Sequence, residues 1–269
     1  MGLKPGRLAA VWLPDWPVAA AILTGVVTAD QPVIVADTRR VKAASPAARA
    51  AGVRSGMKRR AAIALCPTAQ VVPADPLRDS RAFEKVAALV HSLVPGVELL
   101  RPGLLLCPAA GASRYYGSDE ALAEYLLTQV AAQTGAEAWV GVADGLLAAI
   151  LAARDGQIVP SGESRSYLAP RALRDLKLAL RGTESGANLD VLLDLLARLG
   201  IKTLGDLATL PAANVAERLG TLGIWVQRLA RAEGTTTGPG HQHQLPREFK
   251  VVYEAEVPMS CLEQALPPT

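Results

Sequence analysis

Between Arg39 and Arg60 the chain carries eight basic side chains, Arg39, Arg40, Lys42, Arg49, Arg54, Lys58, Arg59 and Arg60, and no acid. A charged run is most often a solvated face, but a 22-residue stretch without a counter-charge points to a polyanion as its partner. Its chemistry is phosphate neutralisation, which is indifferent to base sequence and weakens with salt. Aromatic residues make up only 4% of the chain, so stacking of bases on a Phe or Tyr platform is not the expected mode. Two glycine-bounded turns form a second candidate: Gly200-Ile201-Lys202-Thr203-Leu204-Gly205 and Gly220-Thr221-Leu222-Gly223, each between helical stretches. Glycine permits a tight turn whose N–H groups can rest on one phosphate at a helix N-terminus. The competing reading makes Gly200 a helix C-cap and Thr203 an N-cap in a hairpin that only packs. His241 and His243 lack a third ligand, so no metal site is expected there.

The remaining composition narrows the class. With 269 residues, 50% of them hydrophobic and 20% charged, the chain has enough apolar material for one to three folded domains and too much for wholesale disorder. The formal charge of +3 is uneven: residues 1–70 hold ten Lys and Arg against three Asp, while the rest is net acidic. Cys66, Cys107 and Cys261 show no C-x-x-C spacing, which argues against a disulfide framework or a thiolate zinc site and fits a reducing compartment. The apolar stretch 18–27 is too short to span a bilayer. Pro14, Asp15 and Pro17 interrupt any signal-peptide core. No membrane association and a cytoplasmic, nucleoid-associated location are expected.

The elements that position these residues alternate without a strict βαβα beat. Strands are expected at 8–13, 32–36, 41–45, 70–72, 97–100, 104–107 and 136–142. Helices are expected near 18–26, 47–51, 58–65, 76–93, 119–133 and 146–154, the fourth with Phe83, Val86, Leu89 and Val90 on one face. The fold class is therefore α+β with a largely antiparallel sheet, followed after about residue 166 by helices alone. A Gly/Thr/Gln/His-rich linker at 237–247 precedes a final strand and a short helical piece at 248–269. One strand and part of a helix do not make a domain, so the natural chain is expected to continue.

Several local motifs resemble the catalytic core of Y-family (translesion, DinB-type) DNA polymerases, over nearly the whole chain. Ala47-Ala-Arg-Ala-Ala-Gly-Val-Arg-Ser-Gly-Met57 and Ala64-Leu-Cys-Pro67 are similar to fingers motifs, and Gly141-Val-Ala143 to the start of the last palm helix. Residues 199–207 and 218–223 are similar to the thumb hairpins. The resemblance implies a palm at 1–14 and 74–165, fingers at 15–73, a helix-hairpin-helix thumb at 166–236, and the start of a truncated little finger at 248–269. It also implies that two Mg²⁺ ions would be held by carboxylates at positions where this chain has Trp12, Pro14, Gly103 and Leu104. The steric-gate aromatic falls on Pro17, the triphosphate-facing Tyr on Pro46 beside a retained Arg49, and the palm-helix Lys on Ile150. Asp15 lies one position beyond the expected acids, and Glu98 resembles a family glutamate outside the metal site.

Residues 11–17, 101–105 and 114–117 resemble a non-catalytic branch of that family from bacterial mutagenic repair. The resemblance implies a DNA-binding adaptor, not an enzyme, with no metal and no cofactor. Its DNA contacts would be Arg39, Arg40, Lys42, Arg49, Arg54, Lys58, Arg59 and Arg60, with Gly200, Lys202, Thr203, Gly205, Gly220 and Gly223 of the turns. Its protein partners would be a RecA-like accessory protein, an error-prone replicative-type polymerase α-subunit and the sliding clamp, mostly through the missing C-terminal region. The alternatives are a weak polymerase using Asp15 with Glu98 or another acid, and a protein-interaction module without DNA affinity.

Overall fold

The computed structural model describes residues 6–179 and 184–233, with the side chains of 184–187 left aside. The linker at 237–247, the final segment at 248–269, Cys261 and the His241/His243 pair lie outside the described residues.

Strand β1 (Arg7–Trp12) is the organising element. It pairs antiparallel with β6 (Leu104–Pro108) on one side and β7 (Trp139–Asp144) on the other. With β5 (Glu98–Arg101) added beyond β6, the sheet order is β5-β6-β1-β7. Successive side chains of a strand point to opposite faces. Leu8 and Ala10 enter one core with helix α7 (Leu146–Asp155) and the helical segment 164–230. Ala9 and Val11 enter a second core with α4 (Pro76–Leu93) and α6 (Asp119–Thr134). Coverage on both faces explains why β1 reads as a continuous apolar run instead of an alternating one.

Local chemistry fixes these helices. Asp75 caps α4 by accepting the Leu77 and Arg78 N–H groups, and Pro76 sits where no amide hydrogen is needed. Ser118 caps α6 by accepting from Ala121 N–H, and Gly135 closes it in the left-handed conformation. Phe83, Val86 and Val90 of α4 are fully buried, each contributing about 1.5–3 kcal/mol relative to exposure. Gly141 is dictated by contact: a Cβ there would lie 1.9 Å from the Ala153 backbone nitrogen. Strand β7 and the alanine-rich α7 are thereby seated against each other backbone to backbone.

A second layer is formed by β2 (Val33–Ala36), β3 (Val41–Ala44) and β4 (Gln70–Pro73), in the order β3-β2-β4, with the short helices α2 (Pro46–Ala50) and α3 (Arg59–Leu65). The expected α+β class with a largely antiparallel sheet holds, the four-stranded sheet being antiparallel throughout. There are two sheets, and β2 pairs parallel with β4 in the second. Helix α1 (Trp16–Leu23) joins the layers. Trp16 and Ala20 face the α4 side, while Val18 and Ala21 face the smaller sheet. The Trp16 indole donates to the Asp79 carbonyl at 2.8 Å, and its ring meets Phe83 edge-on.

Helix α5 (Ala109–Tyr116), with no sequence expectation, follows β6 directly. Past α7 come α8 (Ser164–Leu168), a 3₁₀ turn at Leu173–Ala179, α9 (Glu184–Arg198), α10 (Leu204–Thr209) and α11 (Ala212–Ala230). Helix α11 is kinked at Gly220, whose φ of 61° is non-helical, while Thr221, Leu222 and Gly223 continue the helix. No helix among the described residues is long and apolar enough to cross a membrane.

Candidate nucleic-acid interface

The basic segment does not form one continuous face. Backbone pairing gathers part of it: Arg40 and Lys58 form an isolated antiparallel bridge, and Arg59 N–H donates to the Arg39 carbonyl at 2.9 Å. Arg39, Arg40, Lys58, Arg59 and Arg60 thus line a single groove of about 710 Å³ with Thr38 and Ile63. All five cations are exposed, and none has a carboxylate partner among the described residues. The Arg40 guanidinium is steadied by the Gly56 carbonyl at 2.6 Å.

The groove contains an electrostatic conflict. Lys58 is the N-cap residue of α3, and Arg59 and Arg60 open its first turn, with no acid and no side-chain cap. A helix N-terminus carries partial positive charge, so each cation there costs about 0.3–1 kcal/mol. Three at one terminus are unfavourable for the chain alone, and an anion in the groove offsets that cost by its attraction to the cations and to the helix N-terminus.

The other three basic residues are engaged elsewhere. Lys42 pairs with Asp37 at 2.9 Å, and that contact, with the Arg40 and Arg39 N–H groups, holds the Asp37 carboxyl well below the usual range. Arg54 donates to the Arg49 and Val53 carbonyls. Arg49 is ion-paired with Asp15 and, at 3.0 Å, with Glu137. Burial acts to lower its pKa, but the Glu137 hydrogen bond and the Asp15 charge leave it raised. Lys42, Arg49 and Arg54 thus already have partners within the chain. The organising role of Asp37 was missed, although Asp followed two residues later by Arg39 carries an Asx-turn signal.

The first thumb-like turn is also internally satisfied. Lys202 and Thr203 N–H groups donate to the Asp206 carboxylate at 3.0 and 2.9 Å, where a phosphate was expected. Leu204 N–H donates to the Arg171 carbonyl and Gly205 N–H to that of Ala169. Gly200 and Thr203 therefore serve as helix caps, and the N–H groups of Lys202, Thr203 and Gly205 already have acceptors within the chain. In the second turn Gly223 is a packing residue, since a Cβ there would meet Leu219 Cβ at 2.3 Å. Gly220 is exposed with open space beside it.

The four positions that would hold metal ions are filled in another way. Trp12 and Leu104 are cross-strand partners in β1 and β6, and Leu104 is fully buried. Gly103 turns the hairpin at φ 87° with its carbonyl accepting from Leu13 N–H. A Cβ at Gly103 would lie 2.8 Å from Trp16 Cβ, so α1 occupies the space a carboxylate side chain needs. Pro14 adds no donor. The side chains at these four positions do not fit a divalent cation, which requires oxygen ligands. Asp15, in the left-handed conformation at φ 52°, spends its carboxylate on Ala44 N–H and Arg49.

A model of the impB/mucB/samB family matches residues 24–154. The DNA polymerase IV of Dehalococcoides mccartyi strain CBDB1 is 31% identical over 210 residues, covering 75% of this chain and 52% of the relative. DNA polymerase IV 1 of Mesorhizobium japonicum is 29% identical over 215 residues, covering 76% and 46%. The chain spans about half the length of the curated relatives it matches. Among solved structures, the insertion ternary complex of Dbh DNA polymerase superposes with a TM-score of 0.65 at 18% identity, covering 84% of this chain and 67% of that one. The DinB structure from Sulfolobus solfataricus gives 0.61 at 19%, covering 83% and 66%. The α+β fold is that of Y-family polymerases. The expectation that the chain is not an enzyme is corrected by these relatives, whose names are those of polymerases and point to an enzyme.

Proposed function

We propose that the chain, whose residues 24–154 match the impB/mucB/samB family model and whose fold is that of Y-family polymerases, is a DNA-binding component of translesion synthesis. It holds a primer–template-like duplex without base specificity, through the groove of Arg39, Arg40, Lys58, Arg59 and Arg60. The observation that carries the reading is this groove: five exposed cations, three of them placed against a helix dipole, with no carboxylate partner among the described residues. Phosphate contacts position DNA and carry no sequence information, so binding is salt-sensitive and similar on unrelated sequences. The palm-, fingers- and thumb-like divisions at 1–14 with 74–165, 15–73 and 166–236 are part of this proposal.

Residues 11–17, 101–105 and 114–117 support placing the chain in the ImuB-type, mutagenic-repair branch of the family. The partners in that reading are a RecA-like accessory protein, an error-prone replicative-type polymerase α-subunit and the sliding clamp. Anisotropy titration of a labelled primer–template, and of the same duplex with scrambled sequence, tests the DNA-holding role; absence of binding to both at low salt would sink it.

A second reading, template-directed nucleotidyl transfer, is favoured by the relatives' names. Its carboxylates would have to lie outside Trp12, Pro14, Gly103 and Leu104. Primer extension with Mg²⁺ and with Mn²⁺ tests it directly. A template-dependent product that persists after purification to homogeneity supports it, and absence of product under both ions counts against it.

A further inference from the structure

Arg49 sits where three parts of the chain meet. It belongs to α2 of the smaller layer. Its Nη1 engages the Asp15 carboxylate, at the point where β1 gives way to α1, and its Nη2 donates to Glu137 at 3.0 Å, in the loop before β7. The partners are 34 and 88 residues away in sequence, so the pairing joins the smaller sheet layer to the larger one. The Asp15 carboxylate also accepts Ala44 N–H at 3.2 Å, reaching the end of β3. All three side chains line one cleft of about 170 Å³ between the layers, with Ser45, Pro46 and Gly135.

The backbone at this junction is under tension. Asp15 is one of two described non-glycine residues with positive φ, at 52°, and it makes no capping bond to α1. Aspartate tolerates this conformation better than most residues, yet it persists only where the surroundings hold it. What holds it here is the pair of bonds from its carboxylate to Ala44 N–H and Arg49. Helix α1 begins at the next residue and shares its faces between the two layers. Trp16, the next residue, anchors α1 on α4, so the smaller layer rests on the opposite face of α1 and on the side chains that Asp15 and Glu137 present to Arg49.

We propose that Asp15, Arg49 and Glu137 form a charge-operated clasp that fixes the smaller, groove-bearing layer on the four-stranded layer. Closed, the clasp sets the orientation of the groove. Opened by salt or by removal of a charge, it lets the groove-bearing layer swing while both sheets stay intact. The side chains are 20–43% exposed, so each ion pair is open to screening and the clasp responds to ionic strength.

Hydrogen exchange of individual amides in the 269-residue chain tests the clasp without reference to DNA or catalysis. Asp15→Asn keeps an acceptor for Ala44 N–H and the tolerance of left-handed backbone, and removes only the charge. Combined with Glu137→Gln, it is expected to speed exchange at Ala44 about tenfold at low salt, as loss of two partly exposed pairs implies. The Val35 amide, in the middle of β2, is expected to be unchanged. Raising NaCl is expected to speed Ala44 exchange in the wild type and to leave the double variant unaffected. Equal Ala44 exchange in the two proteins overturns the clasp. So does parallel acceleration of Ala44 and Val35, since that outcome means general destabilisation instead of a swinging layer.

Discussion

Replacing Lys58, Arg59 and Arg60 together by alanine separates what the groove does for DNA from what it does for the fold. For the fold, the three cations oppose the dipole of α3 and have no carboxylate partner among the described residues. Their removal is expected to stabilise the protein by about 1–2 kcal/mol at low salt, or a few degrees in Tm. For DNA, each lost phosphate contact removes about 0.9 from the slope of log K against log salt. With all five groove cations engaged the slope is about −4.5, and with Arg39 and Arg40 alone it is about −1.8. Between about 50 and 200 mM NaCl the wild type then loses roughly 500-fold in affinity and the triple variant only about tenfold. Thermal denaturation and anisotropy titration on the same preparation read both quantities. A variant that loses stability while keeping the wild-type slope refutes the reasoning on both counts, because it makes the cations structural and the groove empty of DNA.

Two further perturbations test the scaffold. Gly141→Ala places a methyl 1.9 Å from the Ala153 nitrogen and 2.2 Å from the Ala152 carbonyl carbon, both backbone atoms that cannot rotate away. Chemical denaturation is expected to show a loss of at least about 3 kcal/mol. In the first thumb-like turn, hydrogen bonds from the Thr203 and Lys202 N–H groups and the Thr203 side chain hold the Asp206 pKa below its ordinary 3.8. That stabilisation is complete above the ordinary Asp range and is lost as pH falls below it. Lys202 and Thr203 amide protection, corrected for intrinsic exchange, should therefore drop on acidification, and Asp206→Asn should weaken it already at neutral pH.

Local sequence signals exposed the elements whose cause is local. Asp75 with Pro76 starts α4 and Ser118 starts α6, so their positions follow from a cap and a periodic face. The helix α5 has neither signal: its N-cap is Pro108, and its residues are held by packing against β1 and α6. The parallel pairing of β2 with β4 is a long-range choice that four-residue strands do not advertise. At the candidate interface, sequence correctly marked the charge but not its partition. Arg49 looks like its neighbours until Asp15 and Glu137, distant in sequence, are brought to it. The thumb-like turn shows the reverse error. Gly200, Lys202 and Thr203 carry the residue types of a phosphate turn, and Asp206, three residues beyond Thr203, already supplies the anion. A Thr followed at that spacing by an acid is the capping-box pattern, so the competing reading was in the sequence throughout.

In the proposed reading the chain holds DNA by its phosphates through the five-cation groove. The most direct measurement is the salt dependence of primer–template binding by the 269-residue chain and by a variant with Arg39, Arg40, Lys58, Arg59 and Arg60 all neutralised. The account predicts a slope of about −4.5 for the wild type, collapsing toward zero in the variant. Binding that is independent of salt, or a slope that survives loss of all five charges, would contradict it.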